Sequence, residues 1–349
     1  MRGLRNTWYM VGWSGDLDGF DSFRRTILDV DLLVFRGPDG AATALRNRCP
    51  HRFAPLHMGR IENGVVTCGY HGLRFAENGR CVHNPHGDGK IPASGQVEAF
   101  AVAERHGLLW VWLGERSTAD LAALPDFSCL DDATHHVGRG YLRATAHYTL
   151  ETDNIMDLSH IDYLHPGTLA SGGGGTVSSE VKQDGTTIWS NRLTEGELLS
   201  PFLSRVFAVA DGQPVDRWLN VRWNPPASML LEVGVVESGQ PREGARGRRL
   251  AHIFSPESET STHYWFAVSY DRSIGPQGAE IARKAVSDIE RPFLAEDLPM
   301  IEAVQAAMNG EDFWTLKPMI LPGDAGAVRA RRLLDKLIRD EEKAASADN

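Results

Sequence analysis

The first 115 residues alternate short apolar, β-branched runs with turn residues. Thr26 to Phe35 is followed by Gly37-Pro38-Asp39-Gly40 and then by Ala42 to Leu45, and a later apolar run, Leu108 to Leu113, stops at Gly114. Strand-length runs divided by turn signals predict a small antiparallel β domain. Residues 116 to 135 are polar and contain Pro125-Asp126, so they predict a linker between a first domain, residues 1 to 115, and a second, residues 136 to 349. In the second region residues 148 to 165 read as helical, whereas Trp218 to Trp223, Ser228 to Val236 and Thr262 to Tyr270 read as strands. Met229, Leu231, Val233 and Val235 recur at every second position and so share one face of a strand. Val328 to Lys343 places Leu334, Leu337 and Ile338 on one helical face with charges elsewhere. A sheet with helices set against it is therefore expected, and the chain is α+β. Gly172 to Gly175 reads as a loop, since neither a lysine nor a helix follows it as a phosphate-cradling turn requires.

Composition narrows the function classes. With 349 residues, 42% apolar and 23% charged, the chain is an ordinary globular protein with room for two cores. No apolar run approaches the roughly 18 residues of a membrane span. The start, with Arg2 and Arg5 ahead of Trp8 and Gly12, lacks the apolar stretch of a signal peptide, and a cytoplasmic location is expected. A net charge of −10 argues against a nucleic-acid partner. The basic cluster from Arg242 to Arg249 reads as a solvated loop. In a reducing compartment four cysteines point to metal or catalytic chemistry before disulfides.

The spacing of those cysteines is the strongest signal. Cys49-Pro50-His51 is followed, after sixteen residues, by Cys68-Gly69-Tyr70-His71. Two Cys and two His split in this way match a Rieske [2Fe–2S] centre, in which Cys49 and Cys68 hold one iron and His51 and His71 the other. Neutral imidazoles in place of two thiolates lower the negative charge and raise the potential. Zinc is the alternative, but zinc modules usually gather cysteines in one half and histidines in the other. Pro50 and Gly69 restrict or free the backbone where the two loops must close. Cys81-Val82-His83 with His86 imitates half of the motif without a second half, and these residues are read as packing or hydrogen-bonding groups. Cys129 reads as a buried free thiol.

A second signal is Asp153-Asn154-Ile155-Met156-Asp157-Leu158-Ser159-His160, continuing to His165-Pro166. Two histidines near a carboxylate can supply the 2-His-1-carboxylate triad of oxygen-activating Fe(II). On one continuous helix His160 and His165 would point roughly 140° apart, so the helix must end or bulge between them. Pro166 favours this by pushing His165 from helical geometry. Asp157, three residues before His160, is expected as its hydrogen-bond partner. The third ligand should come from Phe293 to Glu302, where Glu296 and Asp297 both stand as candidates in an apolar, helix-like run. The bland reading of that pair is an acidic first turn of a helix.

In this order, roughly ninety residues apart, the two motifs resemble those of the Rieske non-haem iron oxygenases. The likeness is greatest to the monooxygenase branch of dicamba, vanillate and arylsulfonate methyl oxygenases and extends over essentially the whole chain. Asn6-Thr7-Trp8-Tyr9, Asn47 to Arg52, Tyr70 to Leu73, Asp153 to His165, Asp216-Arg217-Trp218 and Glu296-Asp297 carry it. The resemblance implies a Rieske domain followed by a helix-grip (START-like) catalytic domain with an antiparallel sheet. It implies His160, His165 and Asp297 as iron ligands, Asn154 close to the metal, and Asp157 passing electrons. It also implies a head-to-tail homotrimer in which Asp157 of one subunit meets His71 of the next. The expected reaction uses O₂ and hydroxylates a methoxy or methyl carbon of a small aromatic substrate; from a methoxy group a hemiacetal would collapse to a phenol and formaldehyde. Ring-methyl hydroxylation and N-dealkylation are the alternatives within the class, and an electron-transfer protein lacking the second iron is the alternative outside it. No reductase motif is present, so a separate reductase or ferredoxin must bring electrons from NAD(P)H. Substrate contacts are expected from His252, as a hydrogen-bond donor, and from Leu231. Dicamba members have asparagine where Leu231 stands, so dicamba itself is not the expected substrate.

Overall fold

The computed structural model describes residues 1–18, 22–243 and 245–347. The chain forms two compact units, Met1–Leu124 together with Asp340–Asn349, and Pro125–Arg339. The sequence reading kept the chain's end with the second domain. The tail from Asp340 groups with the first unit because Glu341 accepts the backbone N–H of Arg5 (2.7 Å) and Asn6 (2.6 Å) and Glu342 pairs with Arg2.

The first unit holds ten strands: β1 (Trp8–Trp13), β2 (Ser22–Ile27), β3 (Val30–Arg36), β4 (Ala42–Arg46), β5 (Arg60–Glu62), β6 (Val65–Thr67), β7 (Arg74–Phe75), β8 (Cys81–His83), β9 (Ala99–Arg105) and β10 (Leu108–Trp112). Six form an antiparallel sheet in the order β1-β10-β9-β4-β3-β2, and β5-β6-β7-β8 form a smaller one. Strand β3 is buried on both faces: Leu32 and Val34 join one core with Val11, Leu109 and Val111, while Leu33 and Phe35 join another with Cys49, Cys68 and Phe75. That second core carries both sulfur-bearing loops.

Thr26 to Phe35 is not the single strand that its apolar run suggested. Leu28 and Asp29 adopt left-handed φ of 49° and 60° and turn β2 onto β3. Two-residue hairpin turns usually advertise themselves with Asn or Gly. Here Leu28 is 1% exposed within the core, and its burial offsets the unfavourable φ while hiding the turn from the sequence.

The second unit is built on a seven-stranded antiparallel sheet, in the order β11-β17-β16-β15-β14-β13-β12. Its strands are β11 (His135–Ala144), β12 (Thr176–Asp184), β13 (Thr187–Leu198), β14 (Pro214–Asn224), β15 (Ser228–Glu237), β16 (Arg246–Ser258) and β17 (Ser261–Asp271). Met229, Leu231, Val233 and Val235 on β15 are all buried while Glu232 between them is exposed, which is the alternation of a half-covered strand. Helices α1 (Tyr148–Met156), α2 (Ile161–Leu164), α3 (Pro201–Phe207), α4 (Gly278–Pro292) and α5 (Leu298–Met308) complete it, together with the part of α6 (Ala325–Ala347) that precedes Asp340. Helix α4 lays Ala282, Ala285, Val286 and Ile289 against β11 and β17. The fold is thus α+β, antiparallel strands first and a large sheet with helices second. No helix among the described residues is long and apolar enough to cross a membrane.

Candidate metal centres and substrate pocket

The two cysteine loops repeat one backbone pattern. Cys49 N–H donates to Ala54 O (2.9 Å) and Cys49 O accepts from Phe53 N–H (2.9 Å); Cys68 N–H donates to Leu73 O (2.8 Å) and Cys68 O accepts from Gly72 N–H (3.0 Å). The fourth residue after each cysteine, Phe53 or Gly72, has a left-handed φ, 60° and 72°. The left-handed turn of each loop thus falls at Phe53 and Gly72. Gly69 serves another purpose: a Cβ there would lie 2.8 Å from Met58 O, so a side chain would force the loops apart.

Both sulfurs are buried, and the His51 and His71 rings lie with centroids 4.4 Å apart. Burial, together with the neighbouring Cys68, pushes the Cys49 thiol up to about 11. A thiol so raised stays protonated unless a metal takes its thiolate, and two buried cysteine sulfurs beside two histidine rings fit an iron–sulfur cluster. Cys81 is buried and its thiol meets His83 O, while His86 Nε2 donates to His71 O (2.8 Å). Both thus act within the domain's own packing and loop bonding. Cys129 is a buried free thiol.

The second site gathers His160, His165 and Asp297, whose donor atoms all lie within 4.8 Å of one another. Helix α1 ends at Met156, a single 3₁₀ turn covers Leu158–His160, and α2 closes at His165 with φ −117° and ψ 45°. The break that the spacing demanded comes before His160 as well as at His165. Each imidazole turns Nε2 toward Asp297 Oδ1, at 3.5 Å from His160 and 3.2 Å from His165. Each fixes its other nitrogen: His160 Nδ1 donates to Asp157 O (2.7 Å) and His165 Nδ1 to Glu296 Oε2 (2.5 Å). With Nδ1 held by these acceptors, Nε2 of each ring is the nitrogen left to face Asp297 and to take a metal in place of its proton, as in histidines oriented by an outer acceptor.

Asp157 differs from expectation in the atom it uses. It caps the 3₁₀ turn, its carboxylate taking Ser159 N–H (2.9 Å), so its backbone carbonyl rather than its side chain meets His160. Glu296 and Asp297 divide the two sides of His165 between them. They sit on a π-turn, Phe293–Asp297, between Pro292 and Pro299. Pro removes N–H donors from the helical ladder, and π-turns recur at functional sites. Burial alone would raise Asp297, but hydrogen bonds from His160, His165 and Asn154 outweigh it and hold the carboxyl at about 2. Asn154 Nδ2 donates to Asp297 Oδ1 at 2.9 Å. A carboxylate facing two imidazole Nε2 atoms is a donor set that fits a divalent cation such as Fe(II).

Residues 7–100 match the Rieske [2Fe-2S] domain and residues 144–340 the vanillate O-demethylase oxygenase C-terminal domain. The chain belongs to the Rieske non-haem iron monooxygenases. It is 36% identical to the oxygenase component of dicamba O-demethylase of Stenotrophomonas maltophilia, over 96% of this chain and 97% of that one. It is 37% identical to the oxygenase component of chloroacetanilide N-alkylformylase of Rhizorhabdus wittichii, over 97% and 96%. The crystal structure of dicamba monooxygenase bound to 3,6-dichlorosalicylic acid superposes with a TM-score of 0.90 at 36% identity, covering 98% of this chain and 99% of that chain.

In this monooxygenase a cavity of the second unit opens beside His160, His165 and Asp297. Leu231, Val233, Leu250 and Phe293 supply apolar wall, and His252 lines it as well. His252 is 4% exposed; its Nδ1 meets Tyr264 OH at 2.7 Å and its Nε2 has no protein partner. Burial lowers its pKa to about 4, although Asp297 pulls the other way. Two cavity residues and one support of Glu296 were given no site role from the sequence. Arg217 is held by buried Glu197, 2.6 Å away. Arg248 belongs to the basic run read as a solvated loop; that run ends inside β16, where alternation turns Arg248 inward with Leu250 and His252. Period two was the available signal. Thr168 Oγ1, the third, steadies Glu296 at 2.9 Å.

Proposed function

We propose that this chain is the oxygenase component of a multicomponent system that removes the methyl of a methoxy group from a small aromatic substrate, giving a phenol and formaldehyde. The carrying observation is that two Nε2 atoms and one carboxylate converge beside an apolar cavity with a single unpartnered histidine nitrogen. Cys49 and Cys68 would hold one iron of the cluster and His51 and His71 the other; His160, His165 and Asp297 would hold the mononuclear iron, with Asn154 beside it. When bound, these groups supply single electrons and the activation of O₂. Tyr264 donates its hydroxyl proton to His252 Nδ1, which keeps the ring proton on Nε2 and aims it at a substrate oxygen. Leu231 and Val233 hold the ring and exclude water. The pairing of Glu296 with His165 keeps the imidazole oriented while substrates come and go.

Electrons would come from NAD(P)H through a separate reductase or ferredoxin, in keeping with the oxygenase components among its relatives. The same reading includes a head-to-tail homotrimer in which Asp157 bridges to His71 of a neighbouring subunit, in the cytoplasm. N-dealkylation by the same machinery is the second reading, favoured by the 37% identity to the N-alkylformylase component. Turnover with a surrogate reductase over methoxy-, methyl- and N-alkyl-arenes decides between them. Formaldehyde from methoxyarenes alone is expected, and no O₂ uptake with any of them by iron-replete protein sinks the proposal.

A further inference from the structure

Resting on the reading that His71 holds an iron of the cluster, we infer that His86 is a positioning residue for that ligand: its Nε2–H fixes the His71 carbonyl and biases the cluster toward its reduced state. The two cysteine loops share their internal bonds, but only the second is held from outside. His86 Nε2 lies 2.8 Å from His71 O. A carbonyl oxygen only accepts, so Nε2 carries the proton and donates it. Among the described residues no hydrogen bond reaches His51 O, the matching carbonyl of the first loop.

The segment that carries His86 is built to present it. Strand β8 ends at His83, and Asn84 then closes a turn: its Oδ1 accepts the N–H of His86 (3.0 Å) and its Nδ2 donates to Lys90 O (2.8 Å). An asparagine that bonds the backbone two residues on makes a turn from its own side chain. His86 O accepts from Gly89 N–H (3.0 Å), which shuts the return. Pro85 meets the same cysteine loop, since a Cβ on Gly72 would lie 3.3 Å from its Cγ. Residues 84–90 thus bound both His71 and Gly72. Cys81-Val82-His83 with His86, half a motif by sequence, is in this way the support of the Cys68 loop rather than a competing ligand set.

The His71 ring stands with centroids 3.9 Å from Tyr70, 4.4 Å from His51 and 6.1 Å from His86. With its carbonyl tethered, His71 has fewer ways to turn among those rings, and oriented outer partners of metal ligands are worth about 10- to 100-fold in metal affinity or activity. The N–H dipole also aims its positive end at a ligand residue. An electron from the separate reductase adds a negative charge to the cluster, which such a donor stabilises; outer hydrogen bonds are one of the means by which a protein sets these potentials.

The test is a redox titration of the cluster-loaded full chain, followed by visible absorption, for the wild type and four variants. His86→Ala and His86→Phe remove the donor, the second while keeping a ring in place, and His86→Gln keeps a donor without the ring. His83→Ala alters an exposed neighbour whose side chain bonds to neither loop. Against a fixed redox dye, His86→Ala and His86→Phe should shift the cluster about threefold toward the oxidised form, or about 30 mV at 59 mV per tenfold for one electron. His86→Gln should recover at least half of that shift, and His83→Ala should show none. An unmoved potential in His86→Ala, a wild-type potential in His86→Phe, or an equal shift in His83→Ala overturns the inference. Should His86→Ala fail to hold a cluster, His86→Phe and His86→Gln decide by the same reading, and a Gln variant that shifts as far as Phe overturns it. A wild type that takes up no Rieske cluster on reconstitution overturns the inference together with the reading beneath it, whereas a normal cluster with an unmoved potential overturns the inference alone.

Discussion

The two regions of this molecule proposed to hold iron are built in opposite ways. Cys49, His51, Cys68 and His71 come from two short loops with the same internal hydrogen bonds, so each loop makes its own geometry within about five residues. His160, His165 and Asp297 come from a broken helix and from a π-turn 132 residues beyond His165, and they meet only because the second unit has folded. The first region is local and repeats itself; the second is global and held by outer partners, Asp157 O, Glu296 and Asn154. A change near the mononuclear site should therefore leave the cluster intact, while the cluster should depend on little outside its own loops.

The sharpest separation comes from removing one ligand on each side. Asp297→Ala should reduce iron from about three to about two per chain, leave the visible spectrum of the cluster unchanged, and reduce formaldehyde production to background. Cys68→Ser should bleach that spectrum and leave about one iron per chain. Loss of the cluster spectrum in Asp297→Ala would show that the two regions fold as one.

Glu296→Gln probes the outer support. It keeps the size of the side chain but weakens the 2.5 Å contact that fixes His165. Loss of an oriented outer partner costs about 10- to 100-fold in metal affinity, so iron competition with a chelator should show that loss with an unaltered cluster spectrum. An unchanged affinity would make Glu296 a bystander.

This contrast also decides what a reader of the sequence can see. The residues proposed to hold the cluster were legible as a group because all four lie in one contiguous pattern whose spacing brings the two loops together. His160 and His165 were legible for the same reason, with Pro166 announcing the break. The choice between Asp297 and Glu296 was not, because it depends on a π-turn that offsets the helix by one residue, and apolar periodicity carries no trace of it. The β2–β3 turn was hidden by burial of Leu28, and Arg248 was hidden by reading a basic run as loop when its end alternates on a strand. In each case a tertiary contact outweighed a local signal.

A third experiment concerns acid stability, and it touches only the second unit. His252 has a folded pKa of about 4, lowered first by burial, against 6.5 for the free side chain. Between those values the unfolded chain takes up a proton that the native one refuses, so stability falls as pH drops from 6.5 to 4 and is fully retained above 6.5. His147, also lowered to about 4 by burial, acts in the same window, and the His252 share is about 3 kcal/mol. His252→Phe should make that part of the pH profile roughly half as steep, read as the midpoint of urea unfolding at pH 7 and pH 5, with the tryptophans as probe. An identical pH slope in the variant would mean that the ring is protonated, or solvated, in the native state.

The smallest expected effect uses the internal repeat of the cluster loops. Phe53 and Gly72 occupy the same place with φ of 60° and 72°, yet one is a large aromatic and the other has no side chain. A non-glycine residue in this region costs about 1 kcal/mol, so Gly72→Ala should destabilise by about that much, the more so because the new Cβ would sit 3.3 Å from Pro85 Cγ. Phe53→Gly relieves the same strain, but the unfolded chain gains glycine freedom of about 0.5–1 kcal/mol. It also removes the Arg48 guanidinium's contact with the ring, 5.7 Å from its centroid, on a side chain that is 69% exposed. These effects oppose one another and should leave a net change within about 0.5 kcal/mol. The two substitutions at matched positions should thus differ by about 1 kcal/mol in thermal unfolding of the cluster-loaded protein. If Phe53→Gly instead loses the cluster, the exposed ring is holding the loop, and the resemblance of the two loops stops at their backbones.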